Sequence, residues 1–272
     1  MYESYWQLDK PPFENGVDST FYYPSEAHQA SLLKLRYTVE QRKGAAVLVG
    51  DRGAGKSLLV QLLKQQLPEN CRPLVHIVFP QMPAAELLSY IAHELCGEDA
   101  GLVRTVEGSV RAIQSKLAAN TAAGLHTVLA IDEAHLIESS ACWDALRLLL
   151  NFQSDGRYDL TLLLIGQLPL LTALERMPTW EDRLAVRCLL KPLTVDEAAC
   201  YVQHRLHQAG RNEDLFTPEA VTSLHRLSRG YPRRMNRLCD LALVVGYAEQ
   251  LEHISAAEID AVSSELTAAP SE

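Results

Sequence analysis

Residues 50–57 read Gly50-Asp51-Arg52-Gly53-Ala54-Gly55-Lys56-Ser57. Every fixed position of the phosphate-cradling pattern G-x-x-x-x-G-K-[ST] is filled. The flanks make the match a structural one. Ala45-Ala46-Val47-Leu48-Val49 is a short apolar run that reads as a buried strand, and residues 57–64, SLLVQLLK, read as a helix. Glycine lets the loop turn tightly and point backbone N–H groups inward, and the helix start adds its partial positive charge. The pattern therefore assigns phosphate contacts to Gly50, Asp51, Arg52, Gly53, Ala54, Gly55, Lys56, Ser57 and Leu58, the last at the head of the helix. Lys56 would reach the β- and γ-phosphates of ATP, and the Ser57 hydroxyl would ligate Mg²⁺.

A second motif agrees with the first. The apolar run Val128-Leu129-Ala130-Ile131 ends in Asp132-Glu133, the arrangement in which a buried strand delivers a carboxylate to a metal beside the phosphate loop. Asp132 would hold Mg²⁺, and Glu133 would orient and polarise the water attacking the γ-phosphate. Asp132-Glu133-Ala134-His135 also spells a helicase box, but a second motor domain does not fit in 272 residues.

Composition sets the frame. The chain is 47% hydrophobic and 22% charged, as expected of a globular protein, and carries a net charge of −9. That charge speaks against a generally basic nucleic-acid coat but not against a local basic site. No apolar stretch approaches the ~20 residues of a membrane span, and the N-terminus lacks the pattern of a signal peptide. Six cysteines, at 71, 96, 142, 188, 200 and 239, include no C-x-x-C pair, so reduced thiols in a cytoplasmic setting are expected.

Strands are expected at 45–49, 74–79, 127–131, 160–165 and 185–190, with helices at 25–42, 57–64, 84–95, 106–119 and 139–151. This alternation predicts an α/β fold with a parallel five-stranded sheet sandwiched by helices. From Thr194 onward only helices are read, opened by a capping box at Thr194–Glu197 and by Thr217-Pro218. The expected domains are 1–190, an α/β nucleotide-binding domain with an aromatic entry segment, then 191–265, a small all-α lid, and 266–272, a disordered tail.

The chain resembles the AAA+ ATPases, a P-loop core followed by a helical lid. It is further similar to the ATPase module of the general secretion pathway protein A (ExeA/GspA) family and to the related TniB- and TnsC-like DNA-transposition ATPases. The carrying residues are Met1-Tyr2, Trp6, Pro12-Phe13, Phe21-Tyr22-Tyr23-Pro24-Ser25, His28, the loop 50–57, 131–135, Ile165-Gly166-Gln167 and 230–236, GYPRRMN. Members of the secretion family continue beyond such a module through a membrane helix into a cell-wall-binding region. This chain is thus expected to be either a shortened form or a soluble relative with another task.

The resemblance implies further roles. Gln167 matches the sensor-1 position, which contacts the γ-phosphate or the attacking water; a loop glutamine facing water is the alternative. Arg233 matches sensor 2, reaching the γ-phosphate from the start of a lid helix; otherwise it is a solvated helix arginine. Arg183, ahead of Arg187, matches the finger that enters a neighbour's site, against a local pair with Glu181 or Asp182. Tyr22, Tyr23 and His28 match the stretch that holds adenine, against packing of the tyrosines in the core.

Arg226, Arg229, Arg233, Arg234 and Arg237 crowd together; on one helix, four of them would share a face able to meet a DNA backbone. His204 with His207, and His93 with Cys96, lack the further ligands of a metal site. The expected function is an AAA+ ATPase using ATP and Mg²⁺ to assemble with itself into a ring or filament and to remodel a protein partner of a secretion system. The alternatives are an ATP-dependent, DNA-binding transposition regulator and a nucleotide-gated interaction module with little turnover.

Overall fold

The computed structural model describes residues 1–16, 18–97 and 105–268. The chain divides into two compact units: residues 27–51 with 59–190, and residues 1–26 with 52–58 and 191 onward.

The first unit holds the sheet. Its strands are β1 (Ala45–Gly50), β2 (Leu74–Ile77), β3 (Thr127–Ile131), a short pair β4 (Gln153–Ser154) and β5 (Arg157–Tyr158), then β6 (Leu160–Gly166) and β7 (Leu184–Leu190). The main sheet runs β2-β3-β6-β1-β7, and every neighbouring pair in it is parallel. The inner strands β1, β3 and β6 are buried along their whole length, as apolar strands covered on both faces must be. β7, an edge strand, alternates exposed and covered positions over its first half. β2 ends at Ile77, two residues short of the expected 79. Its last ladder contact is the Asp132 N–H donating to the Ile77 carbonyl at 2.8 Å, and Val78 and Phe79 beyond it are exposed.

The helices are α1 (Glu26–Glu40), α2 (Lys56–Gln66), α3 (Ala84–Cys96), α4 (Val106–Ala122), α5 (Ser140–Leu149), α6 (Pro169–Glu175), α7 (Val195–Gln208), α8 (Pro218–Ser228), α9 (Pro232–Ala248) and α10 (Ala256–Ala268). The β4/β5 pair and α6 are too short to leave a periodic trace in the sequence. Trp143 of α5 packs edge-on against Trp180 at 5.7 Å, and both are buried in the core of this unit.

Because the strands are parallel, their carboxyl ends share one edge. Val49 is level with Gly166, and Ile131 with Leu164. Gly50, Asp132 and Gln167 therefore leave the sheet on the same side. The opposite edge carries a buried polar network. The Thr161 hydroxyl donates to the Lys43 carbonyl at 2.7 Å, so it accepts from His126 Nε2 at 2.8 Å. Burial pushes the His126 pKa down to about 4, with the Arg42 charge adding to the effect. The folded chain thus keeps His126 neutral while the unfolded chain protonates it near pH 6.5. Its stabilising contribution is present above that pH and is lost as pH falls toward 4, by about 3 kcal/mol in all. His126→Gln, measured by denaturant unfolding at pH 7.5 and pH 4.5, should lose less stability over that interval than the unmodified chain; equal losses would contradict the assignment.

The second unit is helical. The Thr194 hydroxyl accepts from the Glu197 N–H at 3.2 Å, and the Glu197 carboxylate accepts from the Thr194 N–H at 3.0 Å, closing the capping box at the head of α7. Such a cap contributes about 1 kcal/mol. Residues 1–26 group here rather than with the α/β unit in which they were expected. Their aromatic side chains find partners on the lid helices. Trp6 Nε1 donates to the Leu243 carbonyl at 3.0 Å, and Phe13 meets Phe216 edge-on at 5.8 Å. Buried Arg205 lies over the Phe21 ring at 4.4 Å and donates to the Pro12 and Glu14 carbonyls at 2.5 and 2.9 Å. α10 runs through Ala268, so residues 266–268 are helical where a tail was expected; the rest of that tail, 269–272, lies outside the described residues. Among the described residues no helix is long and apolar enough to cross a membrane.

Candidate nucleotide-binding site

β1 delivers Gly50, and α2 starts at Lys56. Between them Gly53 and Gly55 have φ of +81° and +94°, values that side chains resist. Lys56 is buried at 7% exposure and Ala54 at 2%, whereas Arg52 and Ser57 are exposed and Asp51 and Leu58 are half-buried. In the helical unit, the loop and the head of α9 pack backbone against backbone. The Arg233 N–H donates to the Gly53 carbonyl at 3.3 Å, and a Cβ on Gly53 would sit 2.6 Å from the Arg233 Cβ. Pro232 fits the first turn of α9, where no N–H is needed, and the Arg233 side chain is exposed.

At the carboxyl edge of the sheet, Asp132 is buried at 7% exposure. Its Oδ1 accepts from the Glu133 N–H at 2.8 Å, and its Oδ2 lies 3.5 Å from His76 Nε2 on β2. Glu133 adopts φ 49°, ψ 33°, a left-handed conformation that non-glycine residues seldom hold without a structural reason. This turn leaves its side chain 43% exposed, with Oε2 at 3.3 Å from His135 Nδ1. His135 Nε2 is in turn 2.8 Å from the side-chain amide nitrogen of Gln167. The structure thus brings Asp132, Glu133 and Gln167 to one edge, and joins the latter two through His135.

Sequence reasoning gave His76 and His135 no role, although His135 closes the box 132–135. Two signals were available: a polar residue near the end of the strand beside β3, and a histidine one short turn past Asp132.

The other expected residues are placed as follows. Arg183 stands at the amino edge of the sheet, just before Leu184, which pairs with Ala45. It donates to Asn151 Oδ1 at 3.0 Å and to the Tyr158 hydroxyl at 3.2 Å, and so is not held by Glu181 or Asp182. Tyr23 packs against Tyr201 at 5.9 Å and His204 at 5.8 Å, and burial raises the pKa of its hydroxyl, as it does for Tyr22. His28, on α1, is buried. The arginine run does not form one helical face. α8 ends at Ser228, Arg229 and Gly230 take φ of 56° and 73°, and α9 starts afresh at Pro232. A Cβ on Gly230 would meet the Leu193 carbonyl at 2.3 Å, which fixes the break there. Arg226 pairs with Asp260 at 2.9 Å, and Arg234 lies over the Tyr231 ring at 5.5 Å. Among the described residues no group of three or more His, Cys, Asp or Glu is placed to hold a metal.

The fold and this site define a class. The AAA domain family matches residues 39–174, half of the chain, and the chain belongs to that family. Over 274 aligned residues it is also 34% identical to General secretion pathway protein A of Aeromonas hydrophila. That match covers 98% of this chain and 49% of the other, so the chain spans about half the length of this relative. Among solved structures it is similar to the Aeropyrum pernix ORC2 protein in its ADPNP–ADP complexes, with TM-score 0.70, 15% identity, and coverage of 97% of this chain and 73% of that one. Drosophila ORC bound to DNA gives TM-score 0.68 at 17% identity, covering 95% and 65%. The Thermotoga maritima RuvB Holliday junction branch migration motor gives 0.55 at 17%, covering 94% and 74%. At these identities the likeness is one of fold.

Proposed function

We propose that this chain is an ATPase that couples ATP binding and hydrolysis to self-assembly and to the remodelling of a protein partner, in the manner of a secretion-pathway protein A module. The observation that carries the reading is the shared carboxyl edge, where β1 delivers Gly50, β3 delivers Asp132 and Glu133, and β6 delivers Gln167. Lys56 supplies positive charge to the β- and γ-phosphates. The Ser57 hydroxyl and the Asp132 carboxylate are hard oxygen donors of the kind Mg²⁺ takes, alongside phosphate oxygens and water. When bound, the ion neutralises charge developing on the phosphates. Glu133 orients the attacking water and accepts its proton, Gln167 senses the γ-phosphate, and Arg233 reports nucleotide state to the lid. Tyr22, Tyr23 and His28 line the adenine end.

Arg183 serves the site of a neighbouring copy as a finger, a role supported by its place at the sheet edge opposite Gln167. Arg183→Ala chains should bind ATP but turn over slowly. Mixed with Lys56→Ala chains, which keep the finger, they should recover phosphate release well above either variant alone. Absence of recovery at every mixing ratio would remove the trans assignment. The DNA-binding alternative keeps exposed Arg229, Arg234 and Arg237 but loses the single helical face that motivated it. Salt-sensitive, ATP-dependent binding of duplex DNA would restore it.

A further inference from the structure

We infer that His135 is a positioning residue that couples the water-orienting carboxylate of Glu133 to the sensor amide of Gln167. The inference rests on the ATPase reading above and adds a residue to it. His135 lies in the 3-10 turn Ala134–Leu136, and its side chain is only 10% exposed. Its ring has a polar neighbour at each nitrogen: Glu133 Oε2 at 3.3 Å from Nδ1, and the Gln167 amide nitrogen at 2.8 Å from Nε2.

The Gln167 backbone N–H donates to Nδ1 at 3.4 Å, so the ring meets Gln167 through both of its nitrogens and faces Glu133 with one of them. The backbone is shaped to seat this ring. Gly166 closes β6 beneath it, and a Cβ there would fall 3.3 Å from both the His135 backbone nitrogen and Nδ1, and 3.0 Å from Leu170.

The consequence is mechanical. Glu133 projects from an unusual left-handed turn and is 43% exposed, so its rotamer is not fixed by burial. The imidazole fixes it, and ties its direction to that of Gln167. A change at either end is passed through one rigid ring to the other.

The test combines kinetics with a spectrum. His135→Ala should lower kcat for ATP hydrolysis roughly ten- to hundredfold, as misplacement of a reacting group does, with ATP affinity and melting temperature unchanged. His135→Asn, whose short polar amide can stand where Nδ1 stood, should recover part of the loss. Adding Gln167→Ala to His135→Ala should cost little more than either change alone. Glu133→Gln serves as the control for the parent reading. If it stops turnover while His135→Ala turns over at the unmodified rate, the positioning role is overturned and the ATPase reading stands. If the unmodified chain hydrolyses nothing, the ATPase reading fails, and long-range ¹H–¹⁵N spectra of the imidazoles still decide the geometry. His135 ring-nitrogen resonances that move in both Gln167→Ala and Glu133→Gln support the coupling; resonances unmoved by either change overturn it.

Discussion

Chains carrying Lys56→Ala should bind ATP at least a hundredfold more weakly than the unmodified chain, a loss of about 3 kcal/mol. Lys56 is the first residue of α2 and is buried at 7% exposure. An ammonium withdrawn from water carries a desolvation cost that an anionic ligand offsets, and its attraction to phosphate is screened less there than at a surface. The helix head contributes in the same direction, but a few oriented N–H groups do not replace a full charge. Titration with a fluorescent ATP analogue measures the effect. Lys56→Arg should fall between the two, since it keeps the charge but brings a planar fork into a space filled by a compact one. An unchanged Kd in Lys56→Ala would remove the loop from the account.

Glu133→Gln should hold ATP within a few-fold of the unmodified affinity while turnover falls about 10²- to 10⁴-fold, the range for loss of a general base. The substitution is close to isosteric, and the contacts around it survive. The residue 133 N–H still meets Asp132 Oδ1, at 2.8 Å in the unmodified chain, and the new amide still reaches His135 Nδ1, 3.3 Å from Oε2. What disappears is the capacity to take a proton from water. Phosphate release and nucleotide titration on one preparation separate these effects; retained turnover would mean that some other group orients the water.

Much of this site was legible in the sequence because it is local. The loop 50–57 fixes its own backbone through glycine φ values, and buried parallel strands announce themselves as unbroken apolar runs, so β1, β3 and β6 were found within a residue or two. Asp132 and Glu133 followed from the end of such a run. Features that depend on distant partners were harder to read. Nothing near Trp6 or Phe13 says that they pack on Leu243 and Phe216 rather than on the sheet. The arginines of 226–237 looked like one face because their spacing is helical. The left-handed pair Arg229-Gly230 breaks that face through a close approach to Leu193, which lies far back in the chain. His135 was passed over for a similar reason: its role depends on Gln167, 32 residues on, reached only when β6 pairs with β3.

The most direct measurement of the central claim is phosphate release by the unmodified chain in Mg-ATP across a wide range of chain concentration. The account predicts release whose rate per chain rises with concentration, because Arg183 completes a neighbour's site. Saturable ATP binding with no release at any concentration would contradict it and leave a nucleotide-gated interaction module in its place.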